Sequence, residues 1–139
     1  MRQLFFQNRS LALLILVIVM AFIATCTHPF SQGRNLYNNN CSRCHGTDGD
    51  GLENLFPGLK GSPYLTTLQN DMACVIVYGS DYLDQHRVPT LPVSMPANEH
   101  LNPVEVLNII NYILWEFGDG RQVAIDEVRR ALDGCKPEL

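Results

Sequence analysis

The sequence predicts a small all-α domain in which short helices are strung on long loops. Three observations carry that reading. Residues 102–118 repeat apolar side chains at helical intervals between clear start and stop signals. Residues 46–63 are dense in Gly, Pro and Asp, and residues 80–101 carry three prolines before His100, so both stretches read as irregular chain. Finally, Cys41-Ser42-Arg43-Cys44-His45 is a Cys-x-x-Cys-His run, the attachment signal for a c-type haem. A chain with so little apolar core of its own would use that bulky group as core filler.

The elements follow in order. Arg2 and Arg9 precede an uncharged apolar run from Leu11 to Ala24, a charged n-region followed by a hydrophobic segment of secretory length. That run is shorter than the ~20 residues a spanning helix needs. Residues 1–25 are therefore expected to be a signal peptide or signal anchor, and residues 26–32 a linker. Ile23-Ala24-Thr25-Cys26 resembles a bacterial lipobox, in which the Cys is lipidated and becomes the new N-terminus. Thr25 is larger than the residue usual at that point, so an uncleaved anchor and a soluble product cleaved nearby stay open. The expected location is outside the cytoplasm, tethered to the membrane and facing the periplasm. About seven residues join Cys26 to Gly33, a reach of at most ~25 Å, which would keep the domain near the bilayer.

Gly33–Asn40 reads as a helix leading into the motif, and one or two short helices are expected across residues 64–78, broken at Gly79. Asn102 is a good N-cap, Pro103 suits the first helical position, and Glu105 can bond back to the cap. Leu107, Ile110, Ile113 and Leu114 form the apolar stripe, and Gly118 and Gly120 end it. Trp115 would pack near the cofactor or under the tail. A last helix is expected at about residues 122–133, with Ile125, Val128 and Leu132 on one face. Residues 33–120 would be the core domain and residues 121–139 a C-terminal helical extension.

Three-residue spacing puts the Cys41 and Cys44 sulfurs on one side of a helical turn, where each thiol can add to one vinyl group of the porphyrin. His45 follows at once, so its imidazole can reach the iron. A zinc site needs about four ligands, and no second Cys-x-x-Cys or His-x-x-x-His exists. With lipid on Cys26 and haem on Cys41 and Cys44, Cys74 and Cys135 remain. In an oxidising compartment they pair naturally, although two buried thiols stay open. Loss of residues 1–25 would leave eight Lys/Arg against fourteen Asp/Glu, a net charge of −6. That balance argues against nucleic acid as a partner.

From about Gly33 to Gly118 the chain resembles a class I (monohaem) bacterial cytochrome c. The resemblance implies that Gly33 and Tyr37, eight and four residues before Cys41, let the first helix cross the last one at Tyr112. It implies that the carbonyl of Pro57 accepts a hydrogen bond from the proximal His45. It also implies that Met95, in Met95-Pro96, is the second axial ligand. Met72 competes on residue type but falls on a helical apolar pattern; His86 or His100 would give bis-His ligation instead. The implied function is one-electron transfer, not catalysis. The donor would be a quinol-oxidising complex or dehydrogenase, and the acceptor a terminal oxidase or reductase. Two alternatives remain: a haem enzyme or gas sensor with an open sixth position, and a fixed subunit of a larger oxidase or dehydrogenase.

Overall fold

The computed structural model describes residues 11–20, 29–53, 55–67, 70–80, 82 and 93–135. Cys26, His28, Leu68 and His86 lie outside the described residues. The chain divides into two units between Ser31 and Gln32. In the first, residues 11–20 are helical and every large apolar side chain from Leu11 to Met20 is exposed. Among the described residues no helix is long and apolar enough to cross a membrane.

The second unit is all-α, as its sequence predicts. The helices bounded among its described residues are α1 (Ser31–Asn40, which begins at the boundary), α2 (Ser42–His45), α3 (Tyr64–Thr67), α4 (Met72–Tyr78), α5 (Pro103–Glu116) and α6 (Ile125–Gly134). The described residues contain no strand, only an isolated bridge between Leu52 and Phe56. Helix α1 starts at Ser31, two residues ahead of the expected Gly33.

The capping residues of α5 behave as their chemistry requires. The Asn102 side chain accepts from the N–H groups of Val104 (3.0 Å) and Glu105 (3.1 Å), and the Glu105 carboxylate accepts from the Asn102 N–H (2.9 Å). Three otherwise unpaired backbone donors are thereby satisfied. Along α5 the residues Val106, Ile109, Ile110, Ile113 and Leu114 are buried. Trp115 is not: 47% of it is exposed, and so is Val104. The two share a stripe on the outer face, one 100° step round from Leu114, and Trp115 is not among the residues that line the cleft described below.

Gly33 explains how α1 reaches α5. A Cβ there would overlap the Asn108 carbonyl oxygen and stand 2.8 Å from the Tyr112 Cβ. Only a residue without a side chain allows the two backbones to meet. The contact is closed by three rings: Tyr37 lies 5.3 Å from Tyr112 and 5.4 Å from Phe117, and Tyr112 meets Phe117 edge-on at 5.8 Å. Such aromatic pairs contribute about 0.5–1.5 kcal/mol each beyond their buried area.

Helix α6 packs on α4 and α5, with Val128 fully buried. It begins at Ile125, later than the expected residue 122. The Asn111 side chain holds Val123 at both backbone groups, accepting from its N–H (2.8 Å) and donating to its carbonyl (3.2 Å). Residues 121–124 stay non-helical as a result. Cys74 and Cys135 form a disulfide with Cα atoms 5.9 Å apart, tying α4 to the end of α6.

Candidate haem site

The short helix α2 presents the motif as a single turn. The N–H groups of Cys44 and His45 donate to the Cys41 carbonyl at 3.2 and 3.0 Å, and the Cys41 N–H donates to Tyr37 at 2.8 Å. Cys41 is buried, Cys44 is half-buried, and both are free thiols. Burial pushes the Cys41 thiol up to about 11, with a smaller push from Cys44. It stays protonated at neutral pH.

The chain then loops back to meet the imidazole. The Gly51 N–H donates to the His45 carbonyl (2.8 Å), those of Leu59 and Lys60 donate to Gly49 (2.7 and 3.0 Å), and that of Gly61 donates to Phe117 (3.0 Å). These bonds return Pro57 to the motif, where its carbonyl oxygen lies 3.0 Å from His45 Nδ1. A carbonyl can only accept, so Nδ1 carries the proton and Nε2 keeps its lone pair for a metal. The Tyr37 hydroxyl donates to the Gly46 carbonyl at 2.6 Å, which fixes the chain just after the ring. Burial first, then nearby ionisable groups, holds that phenol well above its ordinary range, so it remains a donor.

Met95 lines the same cleft as the motif. The cleft holds about 1090 Å³ of empty space including its open mouth, and Cys41, Cys44, His45, Pro57 and Met95 all line it. Most of the remaining wall is apolar, with Leu65, Val75, Ile76 and Ile113 among its residues. The donor set suits a c-type haem: two thiols for the vinyl groups, a neutral imidazole, a soft thioether, and walls that suit an apolar macrocycle. Among the described residues no group of three or more His, Cys, Asp or Glu could hold a metal ion by itself.

The competing ligands separate. His100 is exposed and its Nε2 lies 3.2 Å from Asn40 Oδ1, outside the cleft. Met72 is buried, as its helical pattern predicts, but its side chain also forms part of the cleft wall.

Ser80 and Asn98 were not singled out by sequence. Ser80 is buried at the end of α4 and meets Met95 at both backbone groups. Asn98 donates from its backbone to Val77 (2.9 Å) and from its side chain to Ile76 (3.0 Å) and Pro96 (3.3 Å). A lone Ser after a Gly carries no signature; only the folded proximity of residues 80 and 95 reveals it. Phe117 was likewise missed, although an aromatic at the end of a helix next to Gly118 was a readable candidate for the ring cluster.

Comparison with known proteins agrees with this geometry. The profile of the family described as Cytochrome c matches residues 30–116. The chain is 30% identical over 91 residues to the cytochrome c subunit of a quinone-dependent alcohol dehydrogenase from Gluconobacter oxydans (strain 621H), covering 64% of this chain and 19% of that protein. It is 29% identical over 111 residues to the cytochrome subunit of fructose dehydrogenase from Gluconobacter japonicus, covering 76% of this chain and 23% of that protein. It is also 29% identical over 100 residues to the cytochrome c subunit of gluconate 2-dehydrogenase from Pantoea cypripedii, covering 67% and 22%. The chain thus spans about a fifth of the length of these relatives. With the match covering most of the second unit, the chain belongs to the cytochrome c family, electron-transfer proteins that carry covalently bound c-type haem.

Proposed function

We propose that this protein is a one-electron carrier whose haem is joined to Cys41 and Cys44 and held axially by His45 and Met95. The observation that carries the reading is the single cleft onto which all four side chains converge. When bound, the haem supplies an iron that takes up and releases one electron. The chain's own groups tune it. The Pro57 carbonyl fixes the His45 tautomer and ring orientation and raises its basicity. The Met95 thioether is soft and favours the ferrous state, which raises the reduction potential. The apolar walls limit water around the charge. With His45 and Met95 both holding the iron, no position would be left open for a substrate, which separates this reading from a haem enzyme or gas sensor.

The protein is exported and tethered. The exposed apolar helix at residues 11–20 and the preceding Arg2 and Arg9 support a membrane-directed segment, and Cys26 is the candidate for lipidation. Its donor is a dehydrogenase or quinol-oxidising complex and its acceptor a terminal oxidase or reductase, met by weak docking as redox encounters are. A second reading, a fixed cytochrome component of a dehydrogenase, is favoured by the names of the relatives. Purification without detergent-stable partners supports the carrier; stoichiometric co-purification with a dehydrogenase supports the subunit.

Optical spectra of the purified holoprotein test the ligation. A weak ferric band at the red end of the visible, lost on reduction, with no spectral change under carbon monoxide, is the expected result. A high-spin spectrum that shifts with carbon monoxide would instead mean an open iron and an enzyme or sensor.

A further inference from the structure

Met95 sits in chain that cannot hold itself. Residues 93–98 are neither helix nor strand, and Pro96 offers no N–H. A ligand on such a segment must be positioned from outside. Both backbone groups of Met95 end on one residue: its N–H donates to Ser80 Oγ at 2.8 Å, and its carbonyl accepts from the Ser80 N–H at 3.1 Å. We propose that Ser80 is a positioning residue that keeps Met95 on the iron, so that ligation is set by the end of α4 rather than by the Met95 segment. The proposal rests on the reading of Met95 as axial ligand.

The surroundings suit that task. Ser80 is only 7% exposed, and a buried hydroxyl is costly unless it is hydrogen-bonded. Its oxygen also lies 3.1 Å from Ser94 Oγ, so both of these hydroxyl contacts go to the segment that carries Met95. Gly79 makes the approach feasible. Its φ of +81° lies in the left-handed region, and a Cβ there would stand 2.5 Å from the Met95 carbonyl oxygen. Three residues on, Asn98 bonds to Ile76, Val77 and Pro96 and fastens the downstream end to the same helix. Helix α4 is itself anchored through the Cys74–Cys135 disulfide. The ligand therefore inherits its position from a rigid part of the fold.

The test compares holoprotein carrying Ser80→Ala, Ser80→Thr and the native residue. Ser80→Ala leaves the half-buried Met95 N–H without its acceptor, a loss worth roughly a tenfold shift toward Met95-detached protein. The expected result is a weakened red ferric band and about tenfold stronger binding of carbon monoxide to the ferrous form, with Ser80→Thr restoring both. An unchanged band and carbon monoxide affinity in Ser80→Ala overturns the proposal, even where the denaturation midpoint falls, and leaves the ligation reading intact. Absence of the band in the native protein overturns both. If Ser80→Ala fails to take up haem, amide exchange in the native holoprotein decides. Strong protection of the Met95 N–H supports the proposal, and exchange at the rate of open chain overturns it.

Discussion

Tyr37 does two jobs with one side chain. Its ring fills the crossing of α1 and α5, while its hydroxyl satisfies the Gly46 carbonyl just beyond His45. Tyr37→Phe keeps the ring and loses the bond, and should cost about 1–2 kcal/mol. Thermal unfolding of the holoprotein measures it, and no change in midpoint would show that the hydroxyl is unimportant. At this scale the sequence is legible where the resemblance assigns a residue a role next to the motif. Gly33, Tyr37 and Pro57 arrive where the resemblance to the family implies, at the helix crossing and against the His45 imidazole. Ser80 and Asn98 were not legible. They act through backbone groups of a loop, and any small polar residue in the right place would serve, so the residue type alone says nothing.

At the scale of helices, two features should dominate. The crossing of α1 and α5 has no room at Gly33, so Gly33→Val should destabilise the domain by about 1–3 kcal/mol or prevent haem incorporation. A Val variant with native haem content and native unfolding midpoint would contradict the close approach. The N-terminus of α5 depends on Asn102, which satisfies two donors; Asn102→Ala should cost about 1 kcal/mol, read from denaturant unfolding. Caps and periodicity made α5 readable to within a residue. Helix α6 was placed too early because nothing local marks the bonds between Asn111 and Val123 that hold residues 121–124 out of the helix. Trp115 is harder to read: a large aromatic invites a core assignment, but its position on α5 leaves 47% of it exposed.

At the scale of the molecule, the extension beyond Gly118 closes the fold by a covalent link. The Cys74–Cys135 disulfide spans 61 residues of sequence, and the loop-entropy account gives about 4 kcal/mol for a closure of that length. Replacing both with Ala should lower the denaturation midpoint of the holoprotein strongly while leaving haem attachment to Cys41 and Cys44 intact. A midpoint equal to the native one would mean that α6 docks by packing alone. The disulfide joins the tail to α4, whose Met72, Val75 and Ile76 line the cleft together with the motif, Pro57 and Met95, so haem there would complete a core that the helices alone leave open. On the proposed reading the iron would be held by His45 and Met95. The most direct test is the optical spectrum of Met95→Leu beside the native holoprotein and Met72→Leu. Met95→Leu alone should lose the red ferric band and bind carbon monoxide when reduced. Retention of that band in Met95→Leu, or its loss in Met72→Leu, would contradict it.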